Sequence, residues 1–284
     1  MTGTKLTSTG HAVADAPWLD NHFQSARAGY EDCLRSVGIM EGWTVLDAGC
    51  GGGNFLPLIC ELVGSDGAVI TIDLAPKNVA RVETLCRERV LRRVQTHVAS
   101  VMSLPFDNAT FDCVWSANVV QYLTEPEFDC AVAEFKRVLK PGGILAIKEH
   151  DTTIGHLLPM DPGTMARLVS ARRSKSNVLG PWCGSSMPSR LRKAGLAEVT
   201  RRGWLVERWA PMAPYTRALF ADGIRYFAGL AAKHDIPASD LQAWQDAARD
   251  PDSLLNDPDC CLREFFVLTV GKAVMQGDGM KGAI

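Results

Sequence analysis

No Cys-x-x-Cys pair occurs among the nine cysteines. That spacing argues against a disulfide framework and for reduced intracellular thiols. The vicinal Cys260-Cys261 reads as small buried residues beside a strand rather than as a thiophilic site. No apolar run reaches the roughly 20 residues that a membrane-spanning helix needs. Residues Met1 to Pro17 lack the charged-then-apolar layout of a signal peptide, so a cytoplasmic location is expected. Neither sign of charge dominates: 30 basic and 32 acidic residues leave a net charge of -2. A surface built for polyanions would show a basic excess or stripe, so a dedicated nucleic-acid binder is disfavoured. Internal repeats and low-complexity linkers are missing as well. What remains, 284 residues with 46% hydrophobic side chains, is one large domain or a core with a substantial insertion.

The most informative stretch is Val45-Leu46-Asp47-Ala48-Gly49-Cys50-Gly51-Gly52-Gly53. It reads as a short buried strand, a glycine turn and the start of a helix. Glycines at alternate positions remove the Cβ atoms that would hold a ligand off the backbone. The following helix turns unpaired N–H groups and a positive dipole end towards the turn. A dinucleotide site wants Gly-x-Gly-x-x-Gly, and here the third position is Asn54. Asp47 would also repel a pyrophosphate, whereas it suits a ligand with a cationic amino group. At these residues the chain resembles the class I S-adenosylmethionine-dependent methyltransferases, whose first motif is a hydrophobic pair, an acid and Gly-x-Gly-x-Gly. The phrase Arg137-Val138-Leu139-Lys140-Pro141-Gly142-Gly143 is similar to the small-molecule methyltransferases of the menaquinone/ubiquinone-biosynthesis type. The resemblance covers residues 40–150 well and the remainder weakly.

The resemblance implies S-adenosylmethionine as cofactor, with S-adenosylhomocysteine as product, and assigns Asp47, Gly49, Cys50 and Gly51 to the cofactor loop. Asp73 ends the second strand, about one βαβ unit further on, where a carboxylate can accept both hydroxyls of an adenosine ribose; Leu74 adjoins it. Ser100-Val101-Met102, ahead of Leu104-Pro105-Phe106, corresponds to the adenine-edge segment, with Ser100 where the family carries an acid. A hydroxyl accepts there as a weaker, neutral partner. Asn118, after the fourth strand, is expected beside the methionine part of the cofactor, with Gln121 and Tyr122 either near the ligands or simply packed. No Asn/Asp-Pro-Pro-Tyr follows that strand, which disfavours methylation of nucleic-acid amino groups.

The fifth strand ends in Glu149-His150-Asp151, with His156 shortly after. Ligands of α/β sheets sit at such strand ends, so His150 and His156 are the candidate bases, with Glu149 a further one and strand capping the alternative. No metal is expected, since no catechol-type arrangement of acids is recognisable. His22, Arg27 and Tyr30, on the N-terminal helices, face either the ligand or solvent. The basic side chains of Arg167, Arg172, Arg173 and Lys175 either meet an anionic substrate or form a solvated helix face. Ser239-x-x-Gln242 looks like a capping box opening a helix.

The order of elements gives an α/β, doubly wound, Rossmann-like sheet with N-terminal helices and a helical lid, and the resemblance implies seven strands with the last one antiparallel. Residues 1–39 form a tail and cofactor-covering helices, 40–209 and 260–273 the core, 210–259 the substrate lid and 274–284 a frayed tail. Residues 157–190 show no strand character. The implied activity is methyl transfer to an O, N or C nucleophile of a small, partly hydrophobic molecule of secondary-metabolite, quinone or terpenoid type. The alternative is a cofactor-binding fold without methyl transfer, acting as a scaffold or promoting a rearrangement. Partners are limited to the small-molecule substrate and, at most, a second copy of the chain.

Overall fold

The computed structural model describes residues 16–274; the expected tails at 1–15 and 275–284 lie outside the described residues. Two helices, α1 (Ala16–Ser25) and α2 (Arg27–Arg35), precede the first strand, β1 (Thr44–Ala48). The chain then alternates: α3 (Leu56–Val63), β2 (Ala68–Asp73), α4 (Pro76–Glu88), β3 (Val94–Val98), β4 (Phe111–Ala117), α5 (Glu125–Val138) and β5 (Leu139–His150). Pro76 sits in the first turn of α4, where its missing N–H removes no helical bond. Strands β1, β2 and β4 are buried almost throughout, as parallel strands covered on both faces must be.

The second half contains β6 (His156–Leu158), α6 (Pro162–Arg173), α7 (Met187–Lys193), β7 (Ala197–Trp209), α8 (Pro214–Ala231), α9 (Ala238–Arg249), α10 (Pro251–Leu255) and β8 (Cys261–Lys272). The sheet runs β3-β2-β1-β4-β5-β8-β6, with β7 also paired to β8. Strands β1 to β5 are mutually parallel, while β8 runs antiparallel to β5, β6 and β7. The sheet therefore has eight strands, not seven. The additional strand is β6, which pairs Leu158 with Cys261 and His156 with Arg263. Three residues are too few for a period-2 pattern to register; β6 exists because β8 extends past β5 and offers it a free edge.

Two cores flank the sheet, as the doubly wound arrangement requires. One packs Tyr30, Leu34, Leu56, Ile59 and Val82 against Trp115 and Phe266. The opposite one packs Phe128, Val132 and Phe135 of α5 with Leu191 of α7 against Val114 and Leu145. A third core lies off the sheet, where Trp244 is fully buried among Leu168, Ile224, Ala228 and Leu255. That core ties α6 to α8, α9 and α10 and makes a helical cap over the strand ends. The capping box is found elsewhere than expected. It joins Thr124 and Glu127 at the start of α5, whereas α9 begins after Pro237 with no side-chain cap. Pro237 takes the N-cap position two residues before Ser239, so the hydroxyl starts inside the helix rather than at its mouth.

Candidate functional site

The glycine turn is held at both ends by backbone bonds. The N–H groups of Gly49 and Cys50 both donate to the Ile72 carbonyl, each at 2.9 Å. Gly49, Gly51 and Gly53 have φ of 86°, 53° and 79°, in the left-handed region that costs glycine little. A Cβ on Gly49 would lie 2.4 Å from the Val119 side chain. On Gly51 the nearest atom would be a Leu19 methyl carbon at 3.4 Å. Gly49→Ala is thus expected to lower the unfolding midpoint markedly, whereas Gly51→Ala should fold, at some backbone cost, and lose cofactor affinity. Thermal unfolding with and without cofactor checks this; equal midpoints for both variants would show that Val119 moves aside.

Asp73 does more than end its strand. Its Oδ2 accepts from Gly51 N–H at 2.9 Å, and its Oδ1 accepts from Ala75 N–H at 2.8 Å and Asn78 Nδ2 at 3.1 Å. One carboxylate thus shapes the loop while keeping lone pairs for a ligand. Asp47 is nearly fully buried, and its Oδ2 has no hydrogen-bond partner among the described residues. Burial, reinforced by the charge of Asp73, pushes its carboxyl up to about 7. A buried acid in this state lacks a cation, which an amino group at the turn would supply. The loop and both acids therefore fit S-adenosylmethionine.

The roof of the turn is α1. Asp20 is paired with Arg81 of α4 at 2.5 Å, Asn54 Nδ2 donates to the Leu19 carbonyl at 3.4 Å, and the Leu19 side chain covers Gly51. Ser100 spends its hydroxyl locally, accepting from Met102 N–H at 3.2 Å, yet Ser100, Val101 and Met102 all line the same cavity as Asp47, Gly49, Cys50, Gly51, Asp73 and Leu74. Asn118 stands at φ 59° and lines it too, with Oδ1 accepting from Lys148 Nζ at 2.8 Å.

Residues 45–143 match the family described as a methyltransferase domain. Those residues form a methyltransferase domain. S-adenosylmethionine is the cofactor that the turn and acids of this domain fit. The domain is similar to the ubiquinone/menaquinone biosynthesis C-methyltransferase UbiE of Teredinibacter turnerae, 35% identical over 159 residues, or 54% of this chain and 63% of that protein. It is also similar to the 27-O-demethylrifamycin SV methyltransferase of Amycolatopsis mediterranei, 28% identical over 187 residues, 66% of this chain and 62% of that one. The first curated relatives are matched over only 36% to 63% of their lengths. Among solved structures, the [4+2]-cyclase SpnF superposes with a TM-score of 0.52 at 24% identity, over 86% of this chain and 82% of that one. At that identity the likeness concerns the fold.

In this methyltransferase domain the cavity has a volume of about 1340 Å³ and continues from the cofactor turn to the helical cap, where Leu168, Val169, Leu219, Phe220, Ile224 and Phe227 line it. His150 and His156 line it as well, but they differ in what their nitrogens do. His150 is buried, with Nδ1 at 2.9 Å from Glu264 Oε1 and Nε2 at 3.2 Å from Lys148 Nζ. Both ring nitrogens are engaged. Burial first, and then the Lys148 charge, pull His150 down to about 4, so it is neutral and weakly basic. That geometry fits a structural hub better than the expected base. His156 Nδ1 is buried with no partner among the described residues. Glu149 lies behind the site, with Oε1 accepting from Val120 N–H at 2.8 Å.

Sequence reasoning missed the other half of this polar cluster. Glu264 Oε1 accepts from Tyr30 Oη at 3.3 Å and faces His22 Nε2 at 3.4 Å, while its Oε2 is paired with Arg208 at 2.5 Å. The one acid of β8, directly ahead of the apolar run Phe265-Phe266-Val267-Leu268, was the available signal. Of the N-terminal candidates, His22 and Tyr30 line the cavity, whereas Arg27 is exposed and pairs with Glu31. Gln121 and Tyr122 both line it. From the basic cluster only Arg172 does so; Arg167 instead clamps α6 to Asp240 of α9 and to Asp161, and Arg173 and Lys175 are exposed.

One set of metal-type donors occurs among the described residues: His22, His150 and Glu264, whose ligand atoms lie within 4.8 Å of one another. Arg208 and Lys148 flank it, so an added divalent ion would meet two cations at close range. EDTA treatment is accordingly expected to leave turnover unchanged; loss of rate restored by a divalent metal would assign the trio to an ion. No helix among the described residues is long and apolar enough to cross a membrane.

Proposed function

We propose that the protein transfers a methyl group from S-adenosylmethionine to an O, N or C nucleophile of a partly hydrophobic organic molecule. The carrying observation is the single cavity of about 1340 Å³ that joins the glycine turn to the apolar cap. Ligand sites are commonly about 300–1,000 Å³, so this one accommodates a cofactor and an organic acceptor side by side. The bound cofactor supplies an electrophilic methyl group on a positive sulfur, and the protein then needs to orient and desolvate rather than to provide strong charge.

Asp73 and the turn hold the nucleoside end, Asp47 faces the amino group, and the Ser100–Met102 segment borders the base. Asn118 is fixed by Lys148 beside the fourth strand's end. Helices α6 and α8 close the acceptor side with apolar walls that exclude water. Residues 210–259 thereby serve as the substrate lid.

The test is mass spectrometry of cofactor and acceptor together, across quinol, phenol and terpenoid-like acceptors. A gain of one methyl group with one equivalent of S-adenosylhomocysteine is expected. An acceptor rearranged without S-adenosylhomocysteine would favour the binding fold without methyl transfer.

A further inference from the structure

His22 differs from the other cavity histidines in having one ring nitrogen beside a carboxylate and the other without a hydrogen bond among the described residues. Its Nε2 lies 3.4 Å from Glu264 Oε1 and 3.2 Å from Tyr30 Oη. No hydrogen bond to Nδ1 is formed among the described residues, and the residue lines the cavity. Trp18 stacks on its ring with centroids 4.8 Å apart and planes 16° apart, which fixes the ring plane. Glu264 is anchored from behind by Arg208, whose guanidinium also donates to the Ser25 carbonyl at 3.0 Å.

Resting on the methyl-transfer reading, we infer that His22, oriented by Glu264, is the general base that takes the proton of the acceptor nucleophile. The carboxylate accepts from Nε2–H and so holds the ring in the tautomer whose Nδ1 lone pair is open, the logic of a carboxylate-oriented histidine. In the step, the acceptor's O–H or N–H bond breaks and its proton moves to Nδ1. The electron pair left on the acceptor forms the bond to the methyl carbon as the carbon–sulfur bond breaks, and that pair stays on sulfur. The imidazolium then returns its proton to solvent when the product leaves.

The charged and titratable groups facing His22 come from several elements. Tyr30 approaches from α2, His150 from β5 with its ring centroid at 5.4 Å, and Glu264 from β8. Arg208 of β7 and Lys148 of β5 stand one contact further away. His150 adds no second base here, because its lone pair faces Lys148. It donates Nδ1–H to the same Glu264 oxygen and keeps that carboxylate fixed. The roof helix α1 therefore brings two things to the site at once: Leu19 over the cofactor turn and His22 over the acceptor.

The experiment compares wild type with His22→Asn and Glu264→Gln in the full chain. Cofactor affinity is read by calorimetry and turnover by S-adenosylhomocysteine release over a range of pH. His22→Asn is expected to keep cofactor affinity within about threefold and to lower kcat by about 10²–10⁴-fold, the usual contribution of a positioned base, with loss of the acidic limb of the pH–rate profile. Nitrogen NMR of the histidines is expected to show His22 protonated on Nε2 in wild type and as a mixture of tautomers in Glu264→Gln. That readout needs no turnover and stands even if Glu264→Gln is less stable. A His22→Asn enzyme with wild-type kcat and an unchanged profile would overturn the assignment, as would His22 protonated on Nδ1. Wild type that releases no S-adenosylhomocysteine with any acceptor would instead sink the methyl-transfer reading.

Discussion

Cofactor affinity is expected to fall about fiftyfold between pH 7 and pH 5, because Asp47 must lose a proton before it can face a cationic amino group. The carboxyl is pushed up to about 7 by burial and by Asp73. The sign follows from that direction. A raised acid stabilises the cofactor-free fold fully below its unfolded value near 3.8 and loses that contribution as pH rises through about 7. Ionised Asp47 is then a buried charge whose Oδ2 has no hydrogen-bond partner among the described residues, and the ligand's cation would supply one. Binding near pH 6 should consequently release a proton, visible as a calorimetric enthalpy that depends on the buffer. Asp47→Asn should bind more weakly at pH 7, with an affinity that no longer changes over this window. The same variant should unfold later than wild type at pH 8. Glu149, also pushed up to about 7 by burial, titrates in this range in both proteins, so the difference between them isolates Asp47. A wild-type affinity that is flat from pH 5 to pH 7 would remove Asp47 from the amino-group site.

Asp73→Ala is expected to weaken cofactor binding by about 1.5–3 kcal/mol, or roughly tenfold to 150-fold, the range for hydrogen bonds to a charged group. Two effects converge on this residue. The carboxylate accepts from Gly51 N–H and thereby holds the turn, and it is also the acceptor expected for the ribose hydroxyls. A cofactor analogue lacking both ribose hydroxyls tells them apart. If Asp73 holds the ribose, the analogue should lose little extra affinity in Asp73→Ala, because the two changes delete the same contact. Additive losses would leave Asp73 as a support for the turn alone.

Much of the fold was legible because the first half of the chain is locally consistent. Strands β1, β2 and β4 are short and apolar, the first two are bounded by glycine or proline, and the glycine turn announces its own conformation. The cofactor side could be read for the same reason: Asp47, the glycines and Asp73 lie within one βαβ unit. The polar cluster was opaque because its members are remote in sequence. His22, His150 and Glu264 meet only through α1, β5 and β8, and no spacing rule links them. His150 looked like the base from its place at a strand end, but strand position says nothing of Lys148 beside its second nitrogen. Strand β6 and the missing cap on α9 failed for local reasons, one element being too short and the other opening on proline.

Strand β8 joins β5, β6 and β7 and also carries Glu264. During synthesis, the segment from β1 to β5 emerges with its glycine turn already encoded and its contacts largely sequential. The strand that supplies the carboxylate emerges more than a hundred residues after β5 and must insert between β5 and β7. A nascent chain can thus shape the glycine turn early, yet the cluster of His22, His150 and Glu264 is completed only when β8 closes the sheet.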